Sequence, residues 1–151
     1  MRGRRTDVID ELNRLMAEEA EASLRYFQMR FRLRGRNRRA AMKFFDDALM
    51  ETLEHANAVA HHIQVLGHVP TLRIHLNLDG GPIRPEDALA EALEVEQQAL
   101  DAYKDLLPRV VGDATLEPFI LKQIEVETEH GDEIRRVLAK RTLKLVAPQA
   151  K

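Results

Sequence analysis

The sequence predicts an all-α fold, an antiparallel four-helix bundle with one long crossover between its second and third helices, and three observations lead there. Most of the seven glycines and six prolines cluster near positions 35, 67–70, 80–85 and 108–118, leaving four long uninterrupted segments. Within each segment apolar residues recur by steps of three and then four, the period of a helix with one buried face. Charged residues make up 32% of the chain and aromatics 5%, with no tryptophan, a profile of long helices with ion-paired outer faces rather than of a strand-rich sandwich. At 151 residues and 44% hydrophobic content the chain reads as a single domain over 1–151 that can bury a core without covalent staples.

The elements follow in order. After a basic N-terminal tail at 1–5, Asp7 is a suitable N-cap for a first helix over about 7–34, ending at Gly35. A tight turn at 35–37 leads into a second helix over about 38–66, closed by Gly67 with Pro70 beyond it. A third covers about 85–107, with Pro85 suited to the first helical position and Pro108 expected to break it. A fourth runs over about 115–143 behind Asp113, with Pro118 in its first turn, and leaves a short tail at 147–151. Short connections make each neighbouring pair antiparallel, whereas Gly67 to Arg84 is long enough to cross the bundle from end to end. Met1 to Arg5 resembles the start of a secretory signal, but Thr6 and Asp7 stand where an apolar stretch would be required. No apolar run approaches the roughly 20 residues that span a bilayer, so the expectation is a cytoplasmic protein without a membrane partner.

The inward stripe reads Val8, Leu12, Leu15, Glu19, Ala22, Tyr26, Met29, Leu33 in the first helix and Ala41, Phe45, Ala48, Thr52, His55, Val59, His62, Leu66 in the second. It continues as Ala88, Ala92, Glu96, Ala99, Tyr103, Leu106 in the third and Leu116, Ile120, Gln123, Glu127, His130, Ile134, Val137 in the fourth. All four stripes turn polar near mid-helix. A lone ionised carboxylate in such a core costs several kcal/mol or more unless it is paired, protonated or bound to metal, on the order of the figures for buried charge. Glu19, His55, Glu96, Glu127 and His130 would converge at one level and offer oxygen and imidazole donors suited to iron, manganese or zinc. Cysteine is absent, which excludes disulfides, thiolate zinc sites, iron–sulfur clusters and cysteine nucleophiles.

Glu19 followed by Tyr26, His55-Ala56 followed by Leu66-Gly67-His68-Val69-Pro70, Glu96 followed by Tyr103, and Glu127-Thr128-Glu129-His130 appear in that order. On these motifs the chain resembles the ferritin-like di-iron carboxylate proteins, most closely the bacterioferritins, over nearly its whole length. In that family one glutamate comes from each of two helices and a Glu-x-x-His pair from each of the other two. The resemblance implies a dinuclear iron centre that oxidises Fe(II) with dioxygen or peroxide, for iron handling or oxidant protection. Glu19 and Glu96 would be terminal or chelating ligands, Glu127 a bridge, and His55 and His130 one nitrogen donor to each metal.

The pattern departs at Thr52, where the family has its second-helix glutamate; Glu51, one residue earlier, is the provisional second bridge. Haem is not expected, because Leu53 stands where the family carries its haem-binding methionine and Met50 fits a core or interface role better. Only 21 residues follow His130, so the family's short fifth helix is not expected, which puts a 24-subunit cage in doubt and leaves a homodimer through the first two helices, or a larger homo-oligomer. A degenerate bundle without catalysis, marked by Thr52, is the alternative from a different class.

Other polar residues have plainer readings. His61, His62, His68 and His75 are not required by the site, and Tyr26 and Tyr103 fit either packing or a hydroxyl bond to a neighbouring carboxylate. Residues 1–39 hold eleven arginines against six acids, near +5, while the rest of the chain carries about −7. The cluster Arg30, Arg32, Arg34, Arg36, Arg38 and Arg39 reads first as a solvated helix end that offsets the helix dipole. Nucleic acid binding, as in DNA-associated mini-ferritins, is the lesser expectation for it.

Overall fold

The computed structural model describes residues 2–78 and 80–146, and four helices account for most of them: α1 (Arg2–Arg32), α2 (Arg38–Val65), α3 (Pro85–Val110) and α4 (Leu116–Val146). Met1, Asp79 and the tail at 147–151 lie outside the described residues. Gly35 and Asn37 both take left-handed backbone at the α1–α2 turn, which reverses the chain within a few residues. At the end of α2 the Gly67 N–H donates to the Gln64 carbonyl and the His68 N–H to the Ile63 carbonyl, the paired bonds of a Schellman stop. Asp113 Oδ1 accepts from the backbone N–H groups of Thr115 and Leu116, capping α4 as expected.

Three boundaries differ from expectation, one of them the end of α4, which lies at Val146 rather than about 143. The basic segment 2–5 belongs to α1 and Asp7 lies inside the helix, not at its start. No strong breaker precedes Asp7, Val8 and Ile9 are buried, and Arg5 reaches the Leu66 carbonyl at the C-terminal end of α2. Pro108 does not break α3 but sits in its last turns. Leu106 and Val110 on either side are buried, and the helix gives way only near Gly112, which has positive φ.

Contacts set the arrangement. Glu19 meets His55 and Tyr26 meets Phe45, so α2 runs antiparallel to α1. Tyr26 meets Glu96 and Tyr103 meets Glu19, so α3 also runs antiparallel to α1. Between α2 and α3 the chain travels along α1 in the direction of that helix. The Thr71 N–H donates to Asn13 Oδ1, the His75 N–H to Glu21 Oε1, and Arg32 Nε to the Gly81 carbonyl, after which Leu33 and Ile83 pair as an isolated parallel bridge.

The core falls into two apolar clusters. One gathers Val8, Leu12, Leu15, Val59, Ile63, Tyr103, Leu106 and Ile120. The other gathers Tyr26, Met29, Leu33, Phe45, Leu89, Ala92 and Ile134. Along every helix the stretch between the clusters is where the stripe turns polar. In α2 the buried line passes through Ala56 and Ile63, leaving His62 half-buried against the ring of Phe119. The advance 52, 56, 59, 63 follows the helix repeat more closely than the expected line through His62 does. At the Gly35 end, Arg30 pairs with Asp46, Arg32 with Glu91, and Arg34 donates to the Phe31 and Leu33 carbonyls, consistent with an ion-paired helix end.

Candidate metal centre

Inward positions at matching height, one each on α1, α2 and α3 and two on α4, bring Glu19, His55, Glu96, Glu127 and His130 into a single layer. Glu19, Glu96 and Glu127 are buried, and the two histidines are partly so. The i, i+3 spacing of Glu127 and His130 turns both toward the axis of the bundle.

The donors form two groups of three. Glu19, His55 and Glu127 can each place a ligand atom within 4.8 Å of the others, and so can Glu96, Glu127 and His130. Glu127 belongs to both. His55 Nδ1 lies 3.2 Å from Glu127 Oε1 and 3.7 Å from Glu19 Oε2. His130 Nδ1 lies 3.5 Å from Glu96 Oε2 and 4.0 Å from Glu127 Oε2. The two imidazole rings are nearly parallel, 14° apart with centroids separated by 5.9 Å.

Tyrosines hold the outer carboxylates in a crossed pattern. Tyr26 of α1 donates to Glu96 Oε1 of α3 at 2.8 Å, and Tyr103 of α3 donates to Glu19 Oε1 of α1 at 2.8 Å. Each bond leaves the second carboxylate oxygen turned toward a histidine. Burial, followed by the neighbouring carboxylates, pushes both hydroxyls well above the ordinary tyrosine range, so both remain donors. Of the two readings open in the sequence, the hydroxyl bond to a neighbouring helix is the one observed.

The electrostatics describe a layer charged with protons in the absence of metal. Burial opposes a charge on His55, but contacts with Glu127 and Glu19 outweigh it and raise the imidazole to about 10. His130 is raised chiefly by its contact with Glu96. Burial, reinforced by Glu96 and Glu19, holds Glu127 far above the usual carboxylate range despite His55. Glu96 goes the other way: burial would raise it, but His130, Glu127 and Tyr26 stabilise its charge. Two atoms in the layer, His55 Nδ1 and Glu127 Oε2, are buried without a well-formed hydrogen bond, His55 Nδ1 having only its ion-pair contacts with Glu127 and Glu19. Such atoms are rare in folded proteins, and here both belong to the groups that could ligate a cation. Three carboxylates and two imidazoles form a hard and borderline donor set that fits iron, manganese or zinc.

Two positions on α2 complete the account. Thr52 is buried, and its Oγ1 donates to the Ala48 carbonyl at 2.6 Å, so it returns to its own helix rather than offering a ligand. Glu51 is not in either group of three. Its Oε2 lies 3.0 Å from His130 Nε2, the nitrogen on the far side of the ring from Glu96 and Glu127. Spacing from His55 does not by itself separate that placement from a bridging one, because i−4 and i−3 flank His55 on either side, at about 40° and 60° around the helix. Ser23 is a further buried polar residue beside the layer, absent from the predicted stripe, and it donates to the Leu49 carbonyl.

The ferritin-like domain family matches residues 9–143 of the chain. No curated protein matches it. Among solved structures, ferritin-like, diiron-carboxylate proteins from Bacillus anthracis strain Ames are 23% identical with a TM-score of 0.80, over 91% of this chain and 99% of theirs. A dodecameric thioferritin, the bacterioferritin-related protein of Bacteroides fragilis, is 21% identical with a TM-score of 0.86, over 97% of this chain and 92% of its own. A Dps protein from Bacillus brevis is 12% identical with a TM-score of 0.82, over 90% and 97%. At these identities the likeness establishes the fold, a ferritin-like four-helix bundle. No helix of the described residues is long and apolar enough to cross a membrane.

Proposed function

The chain belongs to the ferritin-like domain family, and from that premise we propose that its polar layer takes two ferrous ions as substrate and oxidises them with dioxygen or peroxide. Glu19 and His55 hold one ion, Glu96 and His130 the other, and Glu127 is shared. Each Fe(II) gives up one electron, so the pair reduces dioxygen to hydrogen peroxide, or hydrogen peroxide to water, with uptake of two protons. The chemistry serves iron handling or oxidant protection. The observation that carries this reading is the pair of donor groups joined at Glu127 inside an otherwise apolar interior.

The chain's own groups prepare the site. Tyr26 and Tyr103 fix the orientation of Glu96 and Glu19 before any cation arrives, which lowers the cost of ordering ligands on binding. Glu127 and His55 release their protons as cations replace them, so binding strengthens as pH rises. The apolar clusters above and below close the layer along the bundle axis and restrict access of water and escape of reactive oxygen from those two ends. Manganese and zinc suit the same donors, and haem has no role here.

Anaerobic loading with Fe(II) followed by metal analysis tests the proposal. Two irons per chain, falling to one or none in Glu127→Ala, and oxidation on admission of dioxygen are expected. Fewer than one iron per chain, unchanged by the substitution, would leave the alternative of a non-catalytic structural bundle.

The outer face of α1 and α2 supports self-association. Leu24, Phe27 and Phe31 on α1 and Met50 and Leu53 on α2 are all exposed, and Met50 and Leu53 line a largely apolar groove with Met16 and Leu72. A second copy of the chain covering this face makes a homodimer, from which a larger homo-oligomer is built. The B. fragilis relative is described as dodecameric. Light scattering, with Phe27→Glu as the disrupting variant, reads the assembly directly. Arg30, Arg32 and Arg34 have partners within the chain, which favours the ion-paired helix end over nucleic acid binding at these three positions.

A further inference from the structure

The geometry points to Glu51 as a positioning residue for His130, and through it to two unequal metal positions in the centre. The inference rests on the dinuclear reading proposed above and concerns how that site is held, not whether it exists.

An imidazole has two nitrogens on opposite edges of the ring, and a metal needs the lone pair of one. In His130 the edge facing the layer is Nδ1, turned to Glu96 and Glu127, and the opposite edge is Nε2, 3.0 Å from Glu51 Oε2. When Nε2 carries the hydrogen and donates it to Glu51, Nδ1 is left with its lone pair aimed at the cation position. A carboxylate on the far nitrogen also makes the ring more basic and holds its plane still.

Glu51 is suited to that task and poorly suited to bridging. It precedes Thr52 by one residue, which rotates its side chain by about 100° around α2 relative to the inward position. Its side chain is 51% exposed, while Glu19, Glu96 and Glu127 are buried. It lines a solvent-open groove of about 400 Å³ between α2 and α4 that reaches Glu96 and His130, so it stands on the outer side of the ring.

His55 has no equivalent. Its Nδ1 faces Glu19 and Glu127, and among the described residues no carboxylate contacts its Nε2. One histidine is braced from behind and the other is not. The position formed by Glu96, Glu127 and His130 is therefore the tighter of the two.

Anaerobic titration with Co(II), read by its visible absorption, separates the possibilities. Wild-type protein is expected to bind two ions in two steps. In Glu51→Ala two ions still bind, but the tighter step weakens by about 10- to 100-fold, the usual cost of losing such a partner. Glu51→Gln, which keeps an acceptor for the Nε2 hydrogen, falls between them. As a second readout, nitrogen NMR of the zinc-loaded protein is expected to show His130 bound through Nδ1 with hydrogen on Nε2. Unchanged titration in Glu51→Ala would overturn the inference, as would complete loss of one ion, which marks Glu51 as a ligand. A wild-type chain that binds no cobalt overturns the dinuclear reading itself, and this is seen before any variant is compared.

Discussion

The two apolar clusters and the polar layer between them are built on the same four helices and the same inward-facing positions, yet burial acts on their side chains in opposite senses. In the clusters Leu12, Phe45, Ile63 and Ile120 leave water completely and bring no polar group with them, a gain of roughly 25 cal/mol per Å² of apolar area. In the layer Glu19, Glu96 and Glu127 are buried as well, and burial disfavours their charge. They are kept by tyrosine hydroxyls, by histidines and by retained protons. The clusters hold the helices in register, and the layer is carried between them because a cluster closes it on each side.

That contrast can be broken or sharpened by substitution. The largest effect is expected from Phe45→Ala, a loss of about 3–5 kcal/mol in denaturant unfolding, the same with and without metal. A loss confined to the metal-loaded protein would erase the distinction between cluster and layer. Tyr26→Phe and Tyr103→Phe each leave a buried carboxylate oxygen without its donor and are expected to cost about 1.5–3 kcal/mol in the metal-free chain, nearly equally. Unequal values would show that the crossed tyrosine pattern is only superficially symmetric. Thr52→Glu adds a fourth carboxylate to the layer. It is expected to lower metal-free stability by about 1–3 kcal/mol while raising the melting temperature of the zinc-loaded protein, and changes of one sign would place position 52 away from the cations.

The last effect is a pH dependence, which bears on the layer alone. His55 is raised from 6.5 to about 10 in the metal-free fold, so its stabilising contribution is complete below pH 6.5 and is lost as pH climbs through about 10. Glu127 is raised too and acts in the same sense. The metal-free melting temperature is expected to fall as pH rises from 6.5 to 10. A rise over that interval would contradict the proton-charged layer.

The helical stripes were legible in the sequence because a 3.6-residue period with sparse glycine and proline has few competing readings. All eight residues of the α1 stripe, from Val8 to Leu33, are buried, and each stripe turns polar at the height where the layer lies. Boundaries were less legible. Pro108 reads as a breaker by its chemistry, but burial of Val110 draws the helix past it, and the basic start of α1 has no local feature that reveals its contact with the end of α2. The tyrosine bonds were half legible, since a hydroxyl bond to a neighbouring helix was one of two open readings, but the partner was not. Each tyrosine follows a glutamate in its own helix by seven residues but bonds to the glutamate of the other helix, which only the antiparallel packing of α1 on α3 determines. Glu51 shows the limit of spacing arguments, since one residue along a helix moves a carboxylate from the inner edge of an imidazole to its outer edge.

The pairing of Leu33 with Ile83 has a consequence for how the chain can change in length. From that bridge the first helix reaches Glu19 in 14 residues going back, and the chain reaches Glu96 in 13 going forward, so both carboxylates arrive about 20 Å below the bridge. The bridge thus acts as a common origin from which the two helices are measured. Residues inserted into the stretch at 67–82 lie before that origin and alter only a surface path. A single residue inserted between 83 and 96 moves Glu96 by about 1.5 Å and turns it by about 100°, out of the layer. A change in length on one side of the bridge thus leaves the layer in place, and on the other side it displaces a carboxylate from it.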